Sequence, residues 1–252
     1  MPVVSPEPCL PLSKQRRREI CVHEAGHAIV HAIGGSFVYR VAVAPVGDTG
    51  SWTFQGRKGD AETGLAGVCE TSDCFSAYRF LRWSSDAGCY EVDRRGFEER
   101  NRQLASFAAT MAKPGIARYI TSQQSIAAKA RRVVRANLCG ILAGLIAEQI
   151  FLGHEEVFVP QADGFYGPGD DLVRAEAIAM ILPRRRELEH AAGVVEDALR
   201  DPATWGRVIR LADELERVGD IEDLGGLLPY PQPDWPPPPP RRASTPKARA
   251  SR

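Results

Sequence analysis

Residues 14–31 read KQRRREICVHEAGHAIVH, and both the fold and the chemistry turn on this run. Ile20, Ala25, Ala28, Ile29 and Ala32 recur at helical spacing, and Gly34 and Gly35 follow as helix-ending residues. The pattern predicts a helix over Lys14 to His31. His23 and His27 are four residues apart, one turn above each other on one face, so both imidazoles can reach a single metal ion. Glu24 sits beside them, placed to take a proton from a metal-bound water. Imidazole nitrogen with carboxylate oxygen suits zinc, and three protein ligands leave a position open for that water. Iron or cobalt could in principle occupy the same set. The metal would lower the pKa of the water and polarise a scissile carbonyl, and Glu24 would hand the proton on to the leaving amine.

A third ligand must come from elsewhere. His31 continues the four-residue spacing, but it lies about 6 Å further along the helix axis, out of reach of the ion that His23 holds. His154 and His190 read as surface histidines. The acidic candidates are Glu148, Asp163, Asp170 and Asp171. Glu148 closes an apolar helix, and a buried carboxylate needs a partner. It could be a ligand itself, or accept a hydrogen bond from a ligand histidine.

Outward from the motif, Val38 to Ala44 alternates and is rich in valine, which predicts a strand, with Ser51 to Phe54 as a possible return. An extended substrate could pair along the edge of the first strand. Residues 56–90 are glycine-rich and carry no clear period. Helices are expected at about Arg95 to Met111, Ser125 to Leu152 (one long helix or two short ones), from Asp170–Asp171 to near Pro183, and over Arg185 to Leu199 and Thr204 to Val218. From Pro229 the chain is proline-rich, with Pro236 to Pro240 consecutive and a basic end, which predicts a disordered or polyproline tail. Such a tail could recruit proline-binding domains or act as a spacer.

His23 to Ala28, HEAGHA, resembles the peptidase domain of the FtsH-type membrane AAA+ zinc proteases, and other segments follow in the same order. Val41-Ala42-Val43-Ala44-Pro45, with Gly50 after it, resembles the strand that follows the motif helix. Leu142-Ala143-Gly144-Leu145-Ile146-Ala147-Glu148 is similar to a glycine- and alanine-rich helix carrying a glutamate. Gly169-Asp170-Asp171-Leu172-Val173-Arg174-Ala175 resembles the segment that supplies an aspartate ligand, with Asp170 in place of the usual asparagine. Trp205, Leu211-Ala212, Leu215 and Gly219 resemble the C-terminal helical region. The resemblance implies a mainly α, zincin-like domain with a small β element over residues 14–228. It implies His23, His27 and Asp171 as zinc ligands, Glu24 as base and Glu148 hydrogen-bonded to a ligand. Residues 1–13 form an extension, 229–252 a tail, and about 56–130 an insert without a counterpart.

The departures shape the functional expectation. No phosphate-binding loop of the Walker type occurs, so the chain carries no ATPase module. An ATP-independent endopeptidase acting on unfolded or exposed polypeptide is expected, with room for a homo-oligomer or a separate ATPase partner. The alternative is a catalytically silent zinc-binding relative that acts as an interaction or regulatory module; Glu24 and all the ligands are nevertheless retained. The 32 basic residues equal the 32 acidic ones, which gives no reason to expect nucleic acid or an acidic membrane surface. The clusters Arg16–Arg18, Arg131–Arg132 and Arg184–Arg186 read as solvated helix faces. Residues 138–147 are too short an apolar run for a bilayer span. Met1 to Leu12 is proline-broken and does not read as a signal peptide, so the six cysteines are expected to be reduced, in a cytoplasm. Cys69, Cys74 and Cys89 show no CxxC pair to suggest a second metal site.

Overall fold

Helix α1 (Lys14–Ile33) starts at Ser13, whose hydroxyl accepts from the Arg16 amide, and stops at Gly34. From Glu19 onward it is buried on nearly every side, polar residues included, which marks a central helix: Cys21, Val22, Ala25, Ala28, Ile29 and Val30 are fully buried. The computed structural model describes residues 10–57, 59–72, 77–111, 123–157, 170–184 and 186–239. The other helices are α2 (Arg94–Met111), α3 (Gln123–Phe151), α4 (Asp171–Ile181), α5 (Glu187–Arg200) and α6 (Pro202–Val218), so the described chain is mainly α; α3 and α6 pack directly on α1, and α2, α4 and α5 pack on α3. Leu138, Leu142 and Ile146 of α3 meet α1 in one core with Ile178 and Ile181 of α4, Leu199 of α5 and Leu211 and Leu215 of α6.

The stretch of α3 over 126–151 is apolar and long enough to cross a membrane, but 72% of its most apolar window is buried inside the molecule. Helix α3 is continuous, and close packing explains its small residues. A Cβ on Gly26 would lie 2.6 Å from Ala147 Cβ and 2.7 Å from the Ala143 carbonyl oxygen. The two backbones therefore approach as only a glycine permits.

The β structure is small. Strand β1 (Val38–Val43) is followed by β2 (Thr53–Gln55), β3 (Ala61–Thr63), β4 (Gly67–Thr71), β5 (Leu81–Ser84), β6 (Cys89–Val92) and β7 (Asp220–Ile221). β2 pairs with β3 and β5 with β6 as separate hairpins, while β4, β1 and β7 form one antiparallel sheet in that order. Val43 faces Gly67, and Val41 faces Cys69 on one side and Ile221 on the other. β1 is thus the central strand, which corrects the expectation that its edge is open to substrate; among the described residues the outer strands are β4 and the two-residue β7. The segment expected to be an insert supplies β4, together with α2 and both strands of the β5–β6 hairpin.

Two further expectations need revision, the solvated face at Arg17 and the disordered alternative for residues 229–239. Arg17 is not on a solvated face: it is buried, and it donates to the carbonyls of Ala44 (2.9 Å), Leu215 (3.2 Å) and Glu216 (2.8 Å). It thereby caps the C-terminus of α6, where orphan carbonyls and the helix dipole favour a cation. Nor is the proline-rich segment loose from Pro229. Gln232 N–H donates to Ile33 at the end of α1 (2.9 Å), and Trp235 packs against the core. Arg132 and Arg184 donate to the Pro233 and Pro239 carbonyls, and His190 Nε2 donates to that of Pro237 at 3.0 Å. Proline carbonyls keep their full acceptor strength, and the arginine clusters use it. The remainder of the tail, from residue 240, lies outside the described residues.

Candidate metal centre

His23 and His27 project from α1 onto Gly144 of α3. A Cβ at Gly144 would lie 2.3 Å from His27 Nε2 and 2.6 Å from His23 Nε2, so the missing side chain is the space the imidazoles occupy. Helix α4 brings the third group. Asp170 is its N-cap, accepting from the Leu172 and Val173 amides (2.9 and 3.2 Å), which commits that carboxylate to the helix start. Asp171, the next residue, turns to the histidines: its Oδ2 lies 2.9 Å from His27 Nε2 and 3.3 Å from His23 Nε2. The two Nε2 atoms are 3.0 Å apart. Among the described residues, His23, His27 and Asp171 are the one group of His, Cys, Asp or Glu side chains placed to share an ion.

The ring nitrogens facing away fix the tautomers. His27 Nδ1 lies 2.7 Å from the Gly140 carbonyl, which can only accept, so Nδ1 carries the proton. His23 Nδ1 lies 3.2 Å from Glu148 Oε2. The His23 hydrogen bond and the Arg16 guanidinium hold the Glu148 carboxyl at about 2, so it too acts as an acceptor. Both Nε2 lone pairs therefore converge with an Asp171 oxygen on one point. Tetrahedral ligands around zinc stand roughly 3.3 Å apart, close to the three spacings observed.

The electrostatics favour a cation there. Burial alone would lower the His23 pKa, but its bonds to Asp171 and Glu148 and the Glu24 charge outweigh burial and raise it to about 10. Asp171 is half-buried, which would raise its pKa, yet the two histidines hold it well below the usual carboxylate range. A metal ion and a proton compete for the same lone pair. Glu24 behaves differently: burial raises its pKa, and the histidines offset this only in part. A carboxylate raised towards neutrality suits general-base work.

Glu24 touches the edge strand. A Cβ on Gly67 would fall 2.6 Å from Glu24 Oε1, so β4 passes directly over the carboxylate. Beyond it a cavity of about 740 Å³ opens, bordered by Glu24, His27, Asp171, Cys69 of β4, Tyr78 and Arg174. Arg174 Nη2 donates to the Tyr78 hydroxyl at 2.8 Å, and Nη1 stands 3.6 Å from Asp171 Oδ1.

Of the other sequence candidates, His31 is buried one turn away with its ring over Gly140, outside the triad. His190 binds the Pro237 carbonyl, and the His154 carbonyl accepts from Arg200. Asp163 and Cys74 lie outside the described residues. Sequence reasoning gave no role to Gly67, Gly140, Gly144, Tyr78 or Arg174. Only Arg174, one turn beyond Asp171 on the same helix, carried a usable signal. Set against known proteins, the chain matches no family model, no curated protein and no solved structure.

Proposed function

We propose that the chain is a zinc-dependent endopeptidase with a zincin-like domain of the FtsH peptidase type, acting without ATP on unfolded or exposed polypeptide. The observation that carries this reading is the convergence of three electron-pair donors, His23 Nε2, His27 Nε2 and an Asp171 carboxylate oxygen, beside the buried Glu24 carboxylate. The donor set fits zinc, which would supply Lewis-acid polarisation of the scissile carbonyl and acidify the attacking water. Glu148 and the Gly140 carbonyl hold the two imidazoles in the tautomer that leaves Nε2 free to coordinate. Glu24 accepts the proton of the attacking water and delivers it to the departing amine. The outer edge of β4 supports an extended substrate by main-chain pairing, bringing a peptide bond past Glu24 whatever its side chains. The sequence holds no Walker-type loop that could power unfolding, so a tightly folded reporter is expected to resist cleavage.

Zinc analysis and casein cleavage test this, with wild type beside Glu24→Gln. About one zinc per chain in both, with cleavage by wild type alone, is the expected result; general-base loss lowers the rate by about 10²–10⁴-fold. Zinc in both without cleavage in either would turn the reading to a silent zinc-binding module. Folded protein without zinc would overturn it.

A further inference from the structure

Asp171 turns one oxygen to the histidines and the other away from them. Its Oδ2 lies 2.9 Å from His27 Nε2 and 3.3 Å from His23 Nε2, while Oδ1 stands 3.6 Å from Arg174 Nη1. Arg174 lies one turn further along α4 and borders the cavity beside the triad. A cation so close to a metal centre calls for a reason, because its charge alone repels a metal ion. The reason lies at the other end of the guanidinium. Nη2 donates to the Tyr78 hydroxyl at 2.8 Å, and the guanidinium carbon is 5.4 Å from the centre of the Tyr78 ring. Tyr78 belongs to a 3₁₀ turn, Ala77–Phe80, that is itself well seated. Ala77 is fully buried, Phe80 meets Phe97 of α2 edge to face at 5.6 Å, and the Phe80 carbonyl accepts from the Asp93 amide at 2.8 Å. That turn lies within the segment over about 56–130 that the sequence reads as an insert.

We propose that Tyr78 and Arg174 form a brace by which this segment positions the metal-ligand carboxylate, keeping Asp171 to a single coordinating oxygen. This rests on the zinc centre of the peptidase reading, though not on cleavage. A carboxylate can give an ion one oxygen or both. The ion pair at Oδ1 draws that oxygen outward and leaves Oδ2 alone with the two imidazoles, so a fourth position stays open, as a catalytic site requires. A guanidinium can serve the phenol and the carboxylate at once because its donors stand in a fixed fork, which a lysine ammonium lacks. Arg174 is therefore a positioning residue. Through it the fold of the segment around Tyr78, and not α4 alone, sets the coordination.

Two readouts on the full chain test this, neither of which needs activity. Zinc affinity is measured against a chromophoric chelator. The visible spectrum of the cobalt(II)-loaded protein reports coordination number, because four-coordinate cobalt absorbs strongly and five-coordinate cobalt weakly. Tyr78→Phe keeps the positive charge and removes only the hydrogen bond, and zinc affinity should fall about tenfold, as for other partners behind a metal ligand. Arg174→Met removes charge and brace together. Loss of the charge alone would tighten zinc binding, so a fall of about tenfold or more identifies the brace. The double variant should bind no more weakly than Arg174→Met, since members of one unit are not additive. In each variant the cobalt bands should lose intensity as Oδ1 joins the coordination sphere, and Arg174→Lys, a charge without the fork, should restore neither readout. Wild-type affinity and bands in Tyr78→Phe, or tighter zinc with unchanged bands in Arg174→Met, both at native helicity, would overturn the brace. The expected affinities and spectra in protein that leaves casein uncut would sustain the brace and overturn the peptidase reading alone. Casein cleavage by wild type, with metal binding unaltered in the variants, would do the reverse.

Discussion

Replacing Gly144 by alanine should separate the metal site from the fold, and the size of the effect follows from the geometry. The new Cβ would lie 2.3 Å from His27 Nε2 and 2.6 Å from His23 Nε2, whereas ordinary contact begins near 3.4 Å. The imidazoles must therefore retreat by about 1 Å, several times the roughly 0.2 Å tolerance of a metal–ligand distance. At least one nitrogen leaves the coordination sphere. Disturbing only the hydrogen bonds behind a ligand costs about 10–100-fold in metal affinity, so displacing a ligand should cost about 100-fold or more. The backbone effect has the opposite sign, because alanine is favoured over glycine inside a helix by about 1 kcal/mol. Gly193→Ala and Gly206→Ala serve as controls, since a Cβ at either helical position meets nothing within 4 Å. Each should raise stability by about 0.5–1 kcal/mol and leave the site intact. Zinc affinity is read by competition with a chromophoric chelator, and helicity by far-UV circular dichroism. A Gly144→Ala protein with native helicity and wild-type zinc affinity would show that the imidazoles do not lie opposite α3, and the coordination scheme would fall.

Glu148→Gln removes the charged acceptor behind His23 and should weaken zinc binding about 10–100-fold; unchanged chelator competition would dismiss that role. Gly67→Ala drives a methyl group into Glu24 Oε1, 2.6 Å away, so casein turnover should fall about 100-fold while zinc content holds, and full turnover would contradict the contact. His31 has its pKa lowered from 6.5 to about 3, by burial first and then by the charges of His27 and Arg174. The unfolded chain binds a proton there that the native one does not. This stability is therefore whole above pH 6.5 and lost as pH falls towards 3, at about 1.4 kcal/mol per pH unit. In urea unfolding between about pH 6 and pH 4, His31→Leu should flatten the stability profile by about that slope; parallel profiles would contradict it.

The helices were legible because each carries its own signals: apolar spacing along the chain, Ser13 and Asp170 at the starts, Gly34 and Gly219 at the ends. What depends on a distant neighbour was not. Val38 to Ala44 reads as an alternating strand, but nothing in it shows that β4 and β7 pair along both edges. β4 is five residues long in a glycine-rich stretch, too short for alternation to register. Arg17 sits in a charge run that resembles a wet surface, and only the folded chain brings the end of α6 to it. The proline-rich segment docks through its own carbonyls, which every residue possesses and no motif advertises. Likewise His23, Glu24 and His27 stand out because their geometry is local, whereas Asp171 could be chosen over Asp170 only through resemblance. Gly140 and Gly144 act by lacking a side chain, and a lack has no chemistry to recognise.

The anchoring of α1 has a consequence for the order in which the molecule is made. Its first turn is fastened by Arg17 to the Glu216 carbonyl, 199 residues further on, and its last turn by the Ile33 carbonyl to the Gln232 amide. A ribosome releases the site helix about 200 residues ahead of both fastenings. During synthesis the histidines and their glutamate would therefore wait on an untethered segment, without the α3 wall or the Asp171 carboxylate. The centre is completed only when the late residues have emerged, so a truncated nascent chain carries the motif without the site. For an enzyme that would cut unfolded polypeptide, this timing keeps its own unfinished copies from being cutters.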